Sequence, residues 1–136
     1  MPSLLVRRFD PDDYVVLAGY PTVHSTPAFT ALVDGQIAAC AGIALFPRAP
    51  VGMAWACLGP LGRQHGLFIT RAVRRGLHDL IRRHGLVRVE ADCIAQWPAA
   101  RRWLDFLGFE DEGMMRKRGP HGEDMIRYAL FPKERA

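Results

Sequence analysis

The chain has 136 residues, a length at which one domain with a single core is usual. Hydrophobic residues make up 49% and charged residues 24% of it, which excludes a disordered, fibrous or disulfide-rich protein. The longest apolar run, residues 37–46, is shorter than the roughly 18 residues of a membrane-spanning helix, and the N-terminus shows no secretory signal pattern. We therefore predict a single domain over residues 1–136, located in the cytoplasm and not in a membrane.

Residues 3–9 form the first predicted strand. Asp10 and Pro11 then supply the N-cap and the first-turn residue of a short helix that ends near residue 17. Residues 19–27 are rich in Gly, Pro, Ser and Thr, which predicts a loop with little room for a second helix. The chain is thus predicted to begin with a strand, a short helix and a loop.

A β-hairpin follows. Asp34 and Gly35 tolerate the positive φ angles of a tight turn, and they separate predicted strands over residues 28–33 and 36–46. Small side chains fill the second of these strands, which predicts that another backbone or a helix approaches it closely. A third apolar strand is predicted over residues 52–58.

The next segment predicts a parallel crossover. After a predicted turn at residues 59–62, an apolar stripe at helical spacing indicates a long helix from about Gly66 to the C-cap residue Gly85. Residues 86–93 then alternate apolar with charged side chains, as a strand does. A strand, a helix and a second strand in this order place the two strands parallel.

The last elements are a helix and a hairpin. Pro98 opens a helix with an apolar stripe that Gly108 ends, and residues 113–118 and 125–131 flank a turn-rich connection. Together the elements predict an α/β (α+β) domain, with a mixed central sheet of about six to seven strands and helices on both faces.

The arginine-rich part of the long helix bears on the possible partners. Five arginines and one acid, Asp79, lie between residues 71 and 83, which indicates a solvated helix face or a site for an anionic partner. No nucleic-acid-binding motif accompanies this stretch, so nucleic acid is not the predicted partner.

The three cysteines lie in apolar surroundings and are predicted to be reduced core thiols. No histidine spacing favours zinc, so no metal is predicted.

Two segments and the order of the elements point to one family. Residues 100–109 form an amphipathic helix ending in Leu-Gly-Phe, and residues 60–66 connect the third strand of the predicted antiparallel sheet to the long helix. These segments resemble the second-helix signature and the pyrophosphate loop of the GNAT superfamily of acyl-CoA-dependent N-acetyltransferases. The resemblance covers nearly the whole chain and implies a GNAT-like fold, acetyl-CoA as cofactor and an amine acceptor.

The pyrophosphate loop of that family turns backbone amides and the positive end of a helix dipole toward the phosphates of the cofactor. Arg63 and Gly66 match the family pattern, whereas Phe68 stands where the pattern has a small residue. Phe68 either blocks the cofactor site or turns into the core. The resemblance implies cofactor binding at Leu58, Gly62, Arg63, Gln64, His65, Gly66 and Leu67, with further phosphate contacts from Arg71, Arg101 or Arg102.

Acetyl transfer needs a base for the amine proton and often an acid for the leaving thiolate. The strand at residues 52–58 has no Asp, Glu or His, and Leu104 and Trp97 occupy positions where the family often has a tyrosine acid and an asparagine. Glu90 is a candidate base or the ion-pair partner of an arginine such as Arg88. Cys93 is a candidate acid or a core thiol. Enzymatic activity is therefore left open at this point.

Residues 113–124, together with the short first helix, resemble a group of small GNAT-like proteins of tailed bacteriophages, some of them internal virion proteins. The Gly-Pro-x-Gly-x-Asp pattern in this segment is also ordinary turn chemistry. Two functions follow. One is a divergent acetyl-CoA-dependent N-acetyltransferase. The alternative is a catalytically inactive, virion-associated or structural protein that binds a phage or host protein. An open cleft beside residues 58–66 favours the enzyme, and a surface buried against a partner favours the alternative.

Overall fold

The computed structural model of the chain describes residues 2–20 and 27–133. The strands within them are β1 (Leu4–Arg8), β2 (Ala28–Val33), β3 (Gln36–Leu45), β4 (Val51–Leu58), β5 (Arg88–Ile94), β6 (Glu110–Met115) and β7 (Met125–Leu130). The helices are α1 (Pro11–Ala18), α2 (Pro60–Gln64), α3 (Gly66–His84) and α4 (Pro98–Phe106). All seven strands belong to one sheet in the order β1-β2-β3-β4-β5-β7-β6. Neighbouring strands are antiparallel except β4 and β5, which confirms the predicted mixed sheet and its parallel crossover.

Helices pack on both faces of the sheet, as predicted. Successive side chains of a strand point to opposite faces. On β3, Ala39 and Ala41 contribute to a large core that α3 and α4 cover, whereas Cys40 between them packs with Tyr14 of α1. We call these the α3/α4 face and the α1 face. The apolar stripe of α3 supplies buried residues to the first of them, and its arginines point away from it.

A buried carboxylate joins β1, α1 and β2. Asp13 completes a capping box with Asp10, whose own side chain accepts a hydrogen bond from the Asp12 amide. Asp13 also accepts hydrogen bonds from Arg7 Nη1 and Nη2, at 2.8 and 2.9 Å, and from the Thr30 hydroxyl at 2.6 Å. Burial alone would raise the pKa of Asp13, but these hydrogen bonds outweigh it and lower the pKa. We call Arg7, Asp13 and Thr30 the closed corner.

The small residues of β3 permit the predicted close approach. A Cβ atom on Gly42 would lie 2.6 Å from the Pro27 carbonyl oxygen, and one on Gly62 would lie 2.6 Å from the Ala38 carbonyl oxygen. The amide of Gly59 donates a hydrogen bond to that same Ala38 oxygen at 3.0 Å. These contacts hold α2 against β3 and so fix where α3 begins.

Two boundaries around the crossover differ from the prediction. Residues 60–64 form the short helix α2, not a turn, because Pro60 suits the first helical turn and the His65 amide closes onto Leu61 O at 3.0 Å. The predicted strand at residue 86 begins later, at Arg88. Leu86 still belongs to the cap of α3, because its amide donates to Ile81 O at 3.1 Å.

The first strand of the C-terminal hairpin also begins at a different residue from the predicted one. β6 begins at Glu110, three residues before the predicted start, and its register with β7 shifts between Asp111 and Gly113, where Gly113 has a φ of 121°. The connection to β7 is held by its own hydrogen bonds, from the His121 amide to Glu123 Oε1 at 2.7 Å and from the Lys117 amide to Asp124 Oδ1 at 2.9 Å. Turn chemistry therefore accounts for the sequence pattern of this segment.

The predicted loop over residues 19–27 is described only at its ends. Gly19 caps α1 in the left-handed region, with a φ of 82°, and Pro27 precedes β2. Residues 21–26 lie outside the described residues. The cysteines are free, as predicted, and burial raises the pKa of Cys40 to about 12.

Candidate active site

The parallel strands β4 and β5 are paired only where they begin. Residues 51–53 of β4 pair with residues 88–90 of β5, after which β4 continues to Leu58 and β5 to Ile94 without a common ladder. The two strands separate and leave a cleft of about 730 Å³ between them, closed at the sides by α3 and α4. Ligand sites of α/β proteins commonly lie at the carboxyl ends of parallel strands.

The cleft is open at its mouth and buried at its inner end. Arg63, Trp97 and Ala99 line the mouth and are exposed. The side chains of Arg63 and Asp92 are the charged groups among the described residues that line it. The inner surface, which we call the floor, is formed by the buried lining residues Trp55, Val73, Leu77, Ala91, Cys93, Leu104, Leu107 and Phe109.

The N-terminus of α3 lies three residues after Arg63. The first hydrogen bond of α3 runs from the Ile69 amide to His65 O at 3.0 Å. The amides of Gly66, Leu67 and Phe68 precede it and have no acceptor among the described residues. Successive free amides at the positive end of a long helix form a site for a phosphate group.

The residues predicted to bind the cofactor fall in three places. Leu58 and Arg63 line the cleft, and Gly66 and Leu67 begin α3. The remaining predicted residues belong to α2 and its junction with α3: Gly62, Gln64 and His65. A Cβ atom on Gly66 would meet open space, so the fold does not require glycine there. Gly62, in contrast, is needed where α2 packs on β3.

Phe68 is half-buried and is not among the residues that line the cleft. Its ring therefore leaves the cleft open, although it stands at a position that the family pattern fills with a small residue. Of the arginines predicted to reach other phosphates, Arg71 and Arg102 are exposed. Arg101 instead donates hydrogen bonds to the Tyr128 hydroxyl at 3.2 Å and to Asp111 at 3.3 Å.

The two carboxylates of β5 have different surroundings. Glu90 accepts hydrogen bonds from Arg88 Nε and Arg127 Nη1, both at 2.9 Å, and it does not line the cleft. Asp92 lines the cleft and accepts hydrogen bonds from Arg127 through Nε and Nη2. The predicted ion pair of Glu90 with Arg88 is confirmed. The carboxylate that reaches the cleft is Asp92.

Cys93 lines the cleft next to Asp92 but belongs to the opposite face of β5, where it packs in the core under α3 and α4. Burial raises the pKa of the Cys93 thiol, and the positive charge of Arg101 acts in the opposite direction. At neutral pH the thiol therefore keeps its proton and can donate it.

Helix α4 forms the other wall of the cleft. Trp97 is its N-cap residue and makes no side-chain cap hydrogen bond, and Leu104 is buried on the floor. The Trp103 indole N–H donates to the Thr70 hydroxyl at 2.9 Å, which leaves its ring as an apolar surface. Trp97 and Leu104, the two positions of this segment that depart from the family pattern, thus line the cleft.

Asp92 and Arg127 are not among the site residues predicted from the sequence. Asp92 shares a face of β5 with Glu90 and lies two residues closer to the carboxyl end of the strand, which is a usable signal. Arg127 comes from β7, which pairs with β5 in the register Asp92 to Arg127. That register depends on the placement of the closing hairpin, so the sequence carried no local sign of it.

The arginine-rich part of α3 lies away from the cleft. Arg82 and Arg83 both pair with Asp79 at 3.0 Å, as in a solvated helix face. Among residues 2–20 and 27–133, no group of three His, Cys, Asp or Glu side chains is placed to hold a metal ion. No helix in the described part of the chain has the length and apolarity that a membrane crossing requires.

No protein-family model and no curated protein sequence matches the chain. Solved structures do match it. The ribosomal-protein-S18-alanine N-acetyltransferase from Escherichia coli is similar over 98% of this chain and 97% of its own, with a TM-score of 0.79 and 18% identity. YncA from Salmonella typhimurium, whose structure includes its cofactor acetyl-CoA, is similar over 98% and 96%, with a TM-score of 0.72 and 19% identity.

A GNAT-family acetyltransferase from Bacillus anthracis is similar over 94% of each chain, with a TM-score of 0.74 and 16% identity. Likeness at such low identity, over nearly the whole length of both chains, is a likeness of fold. Nothing in these matches supports the resemblance to phage proteins that residues 113–124 suggest. The chain has the GNAT fold.

Proposed function

We propose that the chain is an acyl-CoA-dependent N-acyltransferase of the GNAT type, with acetyl-CoA as its simplest donor and an amine as its acceptor. The observation that carries the proposal is the cleft between the separated ends of β4 and β5, with the free amides of Gly66, Leu67 and Phe68 beside its mouth. A scaffold that had kept only the fold has no need to keep this opening.

The residues present fit an acyl-CoA. The free amides of α3 and the guanidinium of Arg63 suit the pyrophosphate, and Gly66 leaves open space where a side chain would stand. Residues 54–58 of β4 pair with β3 on one side and lack a strand partner on the cleft side, so their backbone groups suit the two amides of the pantetheine arm. The apolar walls suit its carbon chain.

When bound, the acyl-CoA supplies an acyl group activated as a thioester, which the amine nitrogen takes over as the carbon–sulfur bond breaks and CoA leaves as a thiol. In this proposal Asp92 removes the proton of the attacking amine, because it is the carboxylate that lines the cleft. Arg127 keeps it oriented. Cys93 donates the proton that the sulfur gains, and solvent then restores both groups.

The positions of Asp92 and Cys93 give the two substrates separate approaches. Asp92 shares the face of β5 with Glu90 and Arg88, which is the α1 face, and Cys93 lies on the α3/α4 face. The cleft joins the two faces where the strands have separated. We infer that the acyl-CoA enters from the α3/α4 face and the amine from the α1 face.

The alternative, a catalytically inactive phage protein that binds a phage or host protein, depends on residues 113–124. The hydrogen bonds of the turn account for that pattern without such a role. The alternative stays a prediction, and the titration that tests the enzyme also tests it.

The experiment is a thermal-shift titration of the purified protein with CoA and acetyl-CoA. We expect a saturable rise in Tm, because a ligand at about 100 times its Kd stabilises the folded state by about 2.7 kcal/mol. Gly66→Trp fills the open space at the start of α3 and is expected to abolish the rise. His78→Trp, on an exposed position of the same helix, is the matched control and keeps it.

A protein that shows no shift at millimolar CoA, while both variants remain folded, would overturn the proposed function and favour the alternative. If the shift is present, release of the CoA thiol from acetyl-CoA is measured with a panel of amines. A peptide with an N-terminal alanine belongs in the panel, because the neighbour from E. coli is named for such an acceptor.

A further inference from the structure

Two apolar side chains lie next to Asp92 on the side of the cleft from which the amine is proposed to enter. Ile94 follows Asp92 by two residues on the α1 face of β5, because Cys93 between them belongs to the opposite face. Met125 of β7 pairs with Ile94 in register, as Arg127 pairs with Asp92. Both apolar side chains line the cleft and are half-buried, so part of their surface is open to a ligand.

Trp97 continues this apolar surface toward the mouth. Its amide donates a hydrogen bond to Ile94 O at 3.1 Å, which turns the chain at the end of β5 before α4 begins. The indole lines the cleft and is 54% exposed. Because the side chain makes no cap hydrogen bond, capping of α4 does not account for an indole at this position. An exposed aromatic ring at the mouth of a cleft suits contact with a planar apolar group.

Charge is confined to one end of this surface. Among the described residues that line the cleft, Asp92 and Arg63 carry charge, and Arg63 belongs to α2, on the side proposed for the phosphates. The lining side chains between Asp92 and Trp97 are apolar. A second charged group on the acceptor would therefore lose its hydration there without gaining a partner. This disfavours diamines and amino acids with a free carboxylate as acceptors.

The spacing along β5 indicates the size of the acceptor. Neighbouring residues on one face of a strand are about 6.6 Å apart. An amine nitrogen held at Asp92 therefore places a ring two carbons away beside Ile94 and Met125, with Trp97 beyond them. A methionine sulfur and an indole both attract an aromatic ring more strongly than burial of its area alone would. An aryl group two carbons from the nitrogen matches this order of side chains.

We propose that the acceptor is an arylalkylamine, a primary amine whose aromatic ring lies against Ile94, Met125 and Trp97 while its nitrogen lies at Asp92. This inference rests on the proposed function and adds the class of its acceptor. Trp97 is the residue that selects the ring, since it is the exposed aromatic side chain among the described residues that line the cleft.

The experiment is isothermal titration calorimetry of four amines into the protein saturated with CoA, near neutral pH. Phenylethylamine is the probe, cyclohexylethylamine its saturated analogue, ethanolamine its polar analogue, and alanine amide stands for a peptide N-terminus. Each carries one ammonium group, so the attraction to Asp92 is common to all four. We expect phenylethylamine to bind about tenfold or more tightly than ethanolamine and alanine amide, because its ring is buried. It is expected to bind at least as tightly as the saturated analogue, although that analogue is the more hydrophobic.

Two variants locate the ring. Trp97→Leu removes the indole at the mouth and keeps an apolar side chain. Phe106→Leu is the matched control, because Phe106 is an exposed aromatic residue of α4 that does not line the cleft. We expect phenylethylamine to bind about fivefold less tightly to Trp97→Leu and with unchanged Kd to Phe106→Leu. The Kd for CoA is expected to be the same in all three proteins, which also shows that each variant is folded.

The outcomes separate this inference from the proposed function. If CoA binds but the four amines bind equally or not at all, or if cyclohexylethylamine or alanine amide binds most tightly, the inference is wrong and the proposed function stands. The inference is also wrong if Trp97→Leu leaves binding of phenylethylamine unchanged, or weakens binding of CoA instead, since the indole would then contact the cofactor. If CoA does not bind to the wild type, the proposed function fails and the inference fails with it.

Discussion

Asp13 of the closed corner and Asp92 of the cleft are both carboxylates held by an arginine through two hydrogen bonds, yet they have different neighbours. Asp13 accepts two further hydrogen bonds, from the Thr30 hydroxyl and the Asp10 amide, and its side chain is 6% exposed. Among the described residues Asp92 accepts hydrogen bonds from Arg127 alone, and it borders the cleft. The comparison shows that the donors beyond the arginine decide whether such a pair is structural or available for chemistry.

The physical reason lies in the lone pairs of a carboxylate, which offers about four acceptor sites. Four donors occupy those of Asp13, so a proton can bind there only when a native hydrogen bond breaks. Asp92 keeps acceptor capacity on the side that faces the cleft. The closed corner therefore contributes to stability, whereas Asp92 keeps the acceptor capacity that the proposed role as a base requires.

The largest expected effect is on catalysis by Asp92→Asn. The amide cannot accept the amine proton, and loss of a general base lowers kcat by about 100-fold or more. The Kd for acetyl-CoA is expected to stay near that of the wild type, because Asp92 is not among the residues proposed to hold the phosphates. Tm is expected to fall modestly, because the asparagine NH2 group cannot accept a hydrogen bond from Arg127, which keeps its hydrogen bond to Glu90. Release of the CoA thiol in the presence of the acceptor measures kcat.

Glu90→Gln is the matched control, because Glu90 lies on the same face of β5 and binds the same arginine but stays out of the cleft. We expect its kcat to remain near that of the wild type. Equal losses in the two variants would mean that the arginine network, and not the carboxylate in the cleft, supports activity.

The next effect is on stability. Asp13→Ala removes four hydrogen bonds and leaves the Thr30 hydroxyl buried without its partner, which is expected to lower the free energy of unfolding by about 2–3 kcal/mol. The loss stays this small because the Arg7 side chain is 38% exposed and water can solvate it. Urea denaturation measures the difference. Asp12→Ala, an exposed position of the same helix, is the control and is expected to change stability little.

The smallest effect is the dependence of that stability on pH. The pKa of Asp13 is lower in the folded than in the unfolded chain, so its contribution is complete above the unfolded aspartate pKa of about 3.9 and is lost as the pH falls through the folded value. The gap in unfolding free energy between wild type and Asp13→Asn is therefore expected to narrow below pH 4. A gap that stays constant down to pH 2 would contradict the role given to the closed corner.

Much of the fold could be predicted from local patterns. Asp34-Gly35 indicated the hairpin of β2 and β3, the apolar stripe ending at Gly85 indicated α3, and Asp10 with Pro11 indicated α1. The errors arose where local patterns are ambiguous. Residues 59–62 have turn composition but continue as α2, because Gly59 and Gly62 fit against the Ala38 carbonyl oxygen of β3.

The candidate site was predicted in part. The resemblance to the GNAT pyrophosphate loop predicted Arg63, Gly66 and Leu58, and the structure brings Leu58 and Arg63 to the cleft. Cys93 also lines it, whereas Glu90 forms the ion pair that was weighed against a role as base. Asp92 was not predicted, although its place nearer the carboxyl end of β5 could have distinguished it from Glu90; its partner Arg127 comes from β7 and has no local signal.

The sequence by itself determined the order of the elements, the residues that form the core and the likeness to the GNAT fold, because these depend on periodicity, turn residues and short motifs. The tertiary structure alone decided that β4 and β5 separate after three pairs, that Arg127 of β7 meets Asp92 of β5, and that Phe68 leaves the cleft open. Each of these depends on contacts between segments far apart in the chain, which no local pattern records.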